Sequence, residues 1–184
     1  MKRNNCIFKK ALGIILVLAV CISLAGNSSV SRAASGYKIK VNKQKNCVTI
    51  YKMNANGKYK PVKAMVCSTG AATPVGTFPL GEKMRWHTLI GPCYGQYCTR
   101  IHGGILFHSV WYYKPSPSTL SSEAYNRLGT TASHGCVRLT VADAKWIYDN
   151  VPSGSPVTVY NSSKPGPLGK PSGIRLPSSS RWDP

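Results

Sequence analysis

Residues 133–139 read Ser133-His134-Gly135-Cys136-Val137-Arg138-Leu139, and the rest of the chain is best read outward from them. The stretch lies between a Gly/Thr segment and a run with helical features that opens at Thr140. Gly135 before Cys136 lets the backbone bend tightly and leaves the thiol accessible. Successive N–H groups at Gly135 and Cys136 can point one way and stabilise an oxyanion. Arg138 is a permanent cation that lowers a thiol pKa or holds a carboxylate. A thiol nucleophile also needs a base. His108 follows the apolar run Ile105-Leu106-Phe107, and a strand end is a rigid place from which to aim an imidazole.

Most of the flanking sequence reads as strand. Tyr37-Lys38-Ile39-Lys40-Val41 alternates apolar and polar residues, as a half-buried strand does. Cys47 to Tyr51 and Val62 to Ser68 are β-branched or apolar, with a turn at Asn54-Ala55-Asn56-Gly57 between them. Thr77 to Leu80, Trp86 to Ile90, Ile105 to Phe107 and Val157 to Tyr160 complete the expected strands. Gly91 to Gly104, rich in Gly, Tyr and Cys, predicts a long loop. Ser121-Ser122-Glu123 opens a short helix that Gly129 stops, and Thr140 caps a second one reaching Asn150. The body therefore spans residues 36–160 and is mostly β, with two short helices. Residues 161–184 form a Pro/Ser/Gly-rich tail with little to bury.

The 184 residues carry 24 Lys and Arg against 5 Asp and Glu. So few carboxylates leave no visible candidate for a two-metal phosphoryl site or a glycosidase pair. Lys2, Arg3, Lys9 and Lys10 precede an apolar run from Ala11 to Ala25. That run is short for a membrane-spanning helix, which needs about 20 residues, and suits a signal peptide. Residues 1–33 are expected to be a signal peptide, with an uncleaved N-terminal anchor as the alternative and the only expected link to a membrane. The remainder, exported on this reading, keeps 19 basic and 5 acidic residues, a net charge of +14. An anionic cell-envelope polymer fits that charge. Nucleic acid does not fit an exported chain without an aromatic-interleaved binding motif.

Cys47, Cys67, Cys93, Cys98 and Cys136 remain beyond the leader. In an oxidising compartment thiols pair, and an odd count leaves one over. Cys93 and Cys98 are expected to close a small loop, with Cys47–Cys67 across the hairpin as a weaker pair. Cys136 is then the free thiol. A metal alternative reads Cys93, Cys98, His102 and His108 as zinc ligands, but the spacing is too short for a finger. No metal and no cofactor is expected.

Ser-His-Gly-Cys-Val-Arg, preceded by a strand ending in His, resembles the active-site signature of the L,D-transpeptidase catalytic domain, the YkuD-type family of cell-wall enzymes. Cys67-Ser68-Thr69-Gly70 followed by Thr73-Pro74-Val75-Gly76-Thr77-Phe78 also resembles that family, and the likeness covers roughly Tyr37 to Tyr160. The resemblance implies a β-sandwich-like domain with a loop over the cleft, here Gly91–Gly104 with Tyr94 and Tyr97. It implies Cys136 as nucleophile, His108 as base, Gly135 in the oxyanion hole, His134 as a second site histidine, and Arg138 and Ser133 in substrate binding. The implied substrate is a peptidoglycan stem peptide and the implied place the bacterial cell wall. The 24 residues between His108 and Ser133 exceed the family's usual spacing, and His102 in Ile101-His102-Gly103 is a rival base. Two other readings remain at this stage. One is a carboxypeptidase or other cysteine peptidase or amidase of the wall. The other is a non-catalytic wall-binding protein.

Overall fold

The structure is a computed structural model and describes residues 36–182. The expected leader, residues 1–33, lies outside them. Among the described residues, nine strands form two sheets. The first sheet joins β1 (Tyr37–Asn42), β2 (Cys47–Met53), β3 (Tyr59–Val66), β4 (Gly76–Pro79) and β9 (Pro156–Tyr160) in the order β3-β2-β1-β9-β4. The second joins β5 (Lys83–Leu89), β6 (Cys93–His102), β7 (Ile105–Ser109) and β8 (Val137–Leu139) in sequence order. Two helices, α1 (Ser122–Asn126) and α2 (Val141–Asn150), follow β7 and β8. A mostly β, two-sheet body with two short helices agrees with the sequence.

Alternation builds the core. Ile39 and Val41 of β1 and Val48 and Ile50 of β2 point inward, and meet Phe107, Val137 and Leu139 of the second sheet. Helix α2 adds Ala144 and Ile147. Its start is capped as expected, since the Thr140 hydroxyl accepts from the Asp143 N–H at 3.1 Å. The β2–β3 turn also forms where Asn54 and Gly57 mark it. Asn54 Oδ1 accepts from the N–H groups of Asn56 and Lys58, and Gly57 takes a φ of +70°.

One expected loop is a strand. Residues 93–102, within the segment read as Gly91–Gly104, form β6, the longest strand of the described residues. Gly95 suggested loop, yet it stands in the strand because the neighbouring strand packs a large side chain against it. A Cβ there would sit 3.0 Å from His108 Nδ1. Tyr97, at a φ of +49°, marks an irregularity rather than the end of the strand.

The expected disulfides do not form, and all five described cysteines are free. Cys93 and Cys98 lie on one extended strand, where five steps of about 3.3 Å separate their Cα atoms far beyond disulfide reach. In the hairpin, Cys47 pairs with Val66, not Cys67. Cys67, one residue on, faces the core while Cys47 belongs to the opposite face.

The described tail, residues 161–182, follows the surface of the body as loops and turns. Asn42 Nδ2 donates to the carbonyls of Ser162 and Lys164, at 3.1 and 2.9 Å. Asn126 exchanges two bonds with the Leu176 backbone at 2.8 Å. Its anchors are hydrogen bonds between body side chains and the tail backbone more than apolar burial.

Candidate active site

Strand β8 pairs in parallel with β7, setting His108 beside Arg138 and Phe107 beside Val137. Because side chains alternate, Phe107 and Val137 enter the core while His108 and Arg138 share the other face. Cys136 immediately precedes β8. A cavity of about 370 Å³ opens on this face, lined by Cys136, His108, His134, Arg138, Ser133 and Gly135. All six residues singled out in the sequence therefore meet at one place. The β5–β6 hairpin, through His87, Leu89, Ile90 and Cys93, supplies another wall.

The turn that carries Cys136 is clamped by residues 68–73. Ser68 and Arg138 exchange backbone bonds at 2.8 and 2.9 Å. Thr69 O accepts from the N–H groups of Ala132 and Ser133, and Ala72 N–H donates to His134 O. The buried Thr73 hydroxyl accepts from Gly70 N–H at 2.8 Å and donates to Gly135 O at 2.7 Å. Gly70 must lack a side chain, because a Cβ would stand 2.2 Å from Ser133 O. Inside the turn, Ser133 Oγ donates to Cys136 O at 2.6 Å, and Arg138 Nη1 donates to Ala132 O at 2.7 Å. Ser133 and Arg138 thus shape the turn as well as face the cavity.

His108 is fully buried. Burial pushes its pKa down to about 4, and Arg138 and His87 push the same way, against the Ser109 carbonyl. The ring is therefore neutral near pH 7. Its Nδ1 lies 2.5 Å from Ser109 O, so Nδ1–H donates there and Nε2 keeps its lone pair. The half-buried Cys136 thiol lies 3.7 Å from Gly104 O. Burial pushes its pKa up, against a hydrogen bond from the Leu106 backbone and the charges of Arg138 and Arg100. Arg138 Nε is buried with no hydrogen-bond partner among the described residues.

Other sequence candidates fall elsewhere. His102 is exposed at the end of β6, stacks on Phe78 at 4.6 Å, and does not line the cavity. The alternative zinc ligands consequently do not converge, and among the described residues no group of three His, Cys, Asp or Glu side chains is arranged for a metal. Tyr94 and Tyr97 do not line the cavity either. Tyr97 instead meets Tyr148 at 5.5 Å, so the expected covering loop is replaced by the β5–β6 hairpin. Cys98 is pushed up to about 12 by burial and by Cys136, which leaves it an inert thiol.

Three contributors escaped the sequence reading. Gly95 makes room for His108, and an isolated glycine among β-forming residues was its signal. Thr73 ties the two loops together. Asn46 Oδ1 holds Thr69 through both its N–H and its hydroxyl at 2.8 Å, and nothing local in the sequence marks it.

Comparison with known proteins agrees with this geometry. The family model of YkuD, the L,D-transpeptidase catalytic domain, matches residues 36–159. The Bacillus subtilis (strain 168) protein YciB, whose L,D-transpeptidase name is itself provisional, is 44% identical over 92 residues, 48% of this chain and 46% of that protein. This chain thus aligns with about half the length of that curated relative. An L,D-transpeptidase from Mycobacterium tuberculosis H37Rv superposes with a TM-score of 0.52 at 26% identity, over 69% of this chain and 58% of that one. A fused Zn-dependent amidase/peptidase/peptidoglycan-binding protein from Clostridium acetobutylicum gives 0.52 at 26% identity, over 68% and 52%. The match of the family model over most of the chain, on the same residues that build the cavity, places this protein in the YkuD family of L,D-transpeptidase catalytic domains.

Proposed function

We propose that the protein is an exported L,D-transpeptidase that crosslinks peptidoglycan stem peptides through a thioester on Cys136. The observation that carries this reading is one cavity holding an accessible thiol, in the turn that enters β8, and a neutral imidazole on the adjoining strand β7. Nε2 of His108 takes the Cys136 proton as sulfur attacks the carbonyl carbon that precedes the terminal D-amino acid of a donor tetrapeptide. The C–S bond forms, the C–N bond breaks, and the proton passes to the leaving amine. The amine of a second stem peptide then attacks the thioester and restores the thiol. Backbone N–H groups at Gly135 and Cys136 stabilise the oxyanion, with His134 beside them. Arg138, with its unpartnered Nε, holds a substrate carboxylate. Both partners rest uncharged, which favours base-assisted attack over a preformed thiolate–imidazolium pair.

The test is intact-mass measurement of acyl-enzyme formation with a tetrapeptide donor and with a carbapenem. Cys136→Ala should form no adduct with either. His108→Ala should slow acylation by about 10²–10⁴-fold, with partial recovery at alkaline pH. His102→Ala should keep most of the rate. Donor turnover by the Cys136→Ala protein would sink the reading. Water in place of the acceptor amine gives an L,D-carboxypeptidase, and product analysis with and without acceptor distinguishes the two.

A further inference from the structure

The outward face of the five-stranded sheet carries no catalytic residue and has an unusual composition. Its strands β1, β2, β3, β4 and β9 contain no Asp, Glu or Arg, and the lysines that register places on this face are Lys38 and Lys40; Lys52 stands opposite Tyr37, Lys60 opposite Lys52, and Lys63 opposite Ile50, on the inward side. Because Ile39 and Val41 enter the core, Lys38 and Lys40 point the other way, beside Tyr51 of β2 and Thr158 of β9, while Thr49 on the same face is buried beneath Gly166 of the tail. Lys38 Nζ lies 4.5 Å from the centre of the Tyr59 ring and 5.1 Å from that of Tyr51. Lys40 Nζ lies 5.8 Å from Tyr51 and 6.0 Å from Tyr160. These rings hold the ammonium groups upright without neutralising them. Thr158 and Thr77 extend the face with hydroxyls 2.9 Å apart. Three carboxylates are engaged off this face: Glu82 with Arg100, Asp149 with Lys145, and Asp143 with Lys63 on the inward side.

We propose that this Lys–Tyr–Thr face binds a linear phosphodiester polymer, independently of the catalytic cavity on the other sheet. Charge complementarity gives the sign of the partner. The exclusive use of lysine gives its chemistry, since a compact ammonium suits phosphate as a point charge whereas arginine clasps planar carboxylates. Lys38 and Lys40 are two residues apart on one strand, a spacing of about 6.8 Å. A polymer with one phosphate per short polyol unit repeats its charge on that scale. Tyrosine rings and threonine hydroxyls contact the uncharged units between phosphates.

The full chain is titrated into fluorescent poly(glycerol phosphate) by anisotropy over a series of salt concentrations. Lys38→Gln/Lys40→Gln should weaken binding at low salt by about tenfold or more and flatten the log–log salt slope by about 1.4, at roughly 0.7 per phosphate contact on a single-stranded polymer. Lys114→Gln/Arg175→Gln has the same net charge but lies off this sheet, and should bind as the unmodified chain does. Carbapenem acylation should be unchanged in both, which certifies the fold and keeps the result separate from the catalytic reading. The proposal is overturned if the control variant loses as much affinity, if the sheet variant loses none, or if polyglutamate binds equally well. Binding to anionic phospholipid vesicles without binding to the free polymer overturns it as well.

Discussion

The burial of His108 has a consequence beyond its proposed role as base. Its folded pKa is depressed to about 4 by burial, while the unfolded value is about 6.5. Between those values the unfolded chain binds a proton that the folded chain does not. Stability from this group is therefore complete above pH 6.5 and is lost as pH falls toward 4, by on the order of 3 kcal/mol. His108→Gln should remove that part of the pH dependence. Urea unfolding of both proteins at pH 4, 5 and 7 measures it, and equal slopes would contradict the burial argument. Activity should follow the same signs: a fall near pH 4 as the base protonates, and a rise into alkali because the Cys136 thiol is pushed up. The residue scale is also where the sequence was most legible. Cys136, His108 and Arg138 are chemical types with few bland uses in that order. The choice of His108 over His102 rests on strand position, and the structure sets one on the cavity wall and the other against Phe78.

Between elements, the turn that carries Cys136 depends on a clasp to residues 68–73, and Thr73 is its centre. Thr73→Val keeps the shape but strands two backbone groups, Gly70 N–H and Gly135 C=O, in a buried place. Leaving such groups unpaired costs about 1–3 kcal/mol each. Thr73→Val should therefore lower stability by that order and slow carbapenem acylation, because Gly135 adjoins Cys136. Thr73→Ser, which keeps the hydroxyl, should restore both. Chemical denaturation and adduct kinetics on the two variants decide it; a Val variant that acylates normally would show that the clasp does not position Cys136. Long-range partners of this kind were not readable in advance. The parallel pairs β1–β9 and β7–β8 join segments far apart in sequence, and no local pattern encodes them. Strand β6 was hidden for a different reason: Gly95 answers to a side chain on β7, so its composition imitated a loop.

At the scale of the molecule, the two sheets divide the work, one supporting the cavity and the other presenting a basic face. The tail links their surroundings by crossing from Asn42 to Asn126 and on to Leu120, whose N–H donates to Arg181 O at 2.9 Å. Its attachments are hydrogen bonds worth about 0.5–1.5 kcal/mol each. Against them stands an ordering cost of about 1–2 kcal/mol per residue for the backbone. Pro165, Pro167, Pro171 and Pro177 reduce that cost by stiffening the free chain. Among the described residues, Leu176 is the one tail residue packed against a core cluster, the smaller one around Tyr112 and Tyr125. Hydrogen bonds rather than apolar contacts hold the tail, so it should open before the body melts. Hydrogen exchange should be faster at the amides of Leu176 and Leu120 than in β1 and β2. A chain ending at Tyr160 should lose a few degrees in Tm, at about 2–4 °C per kcal/mol for a protein of this size. It should also acylate at the unmodified rate, since no tail residue lines the cavity. A cooperative loss of the whole fold on truncation would instead make the cover over Asn42 and Thr49 part of the core, and exchange at Leu176 would then match that of the central strands.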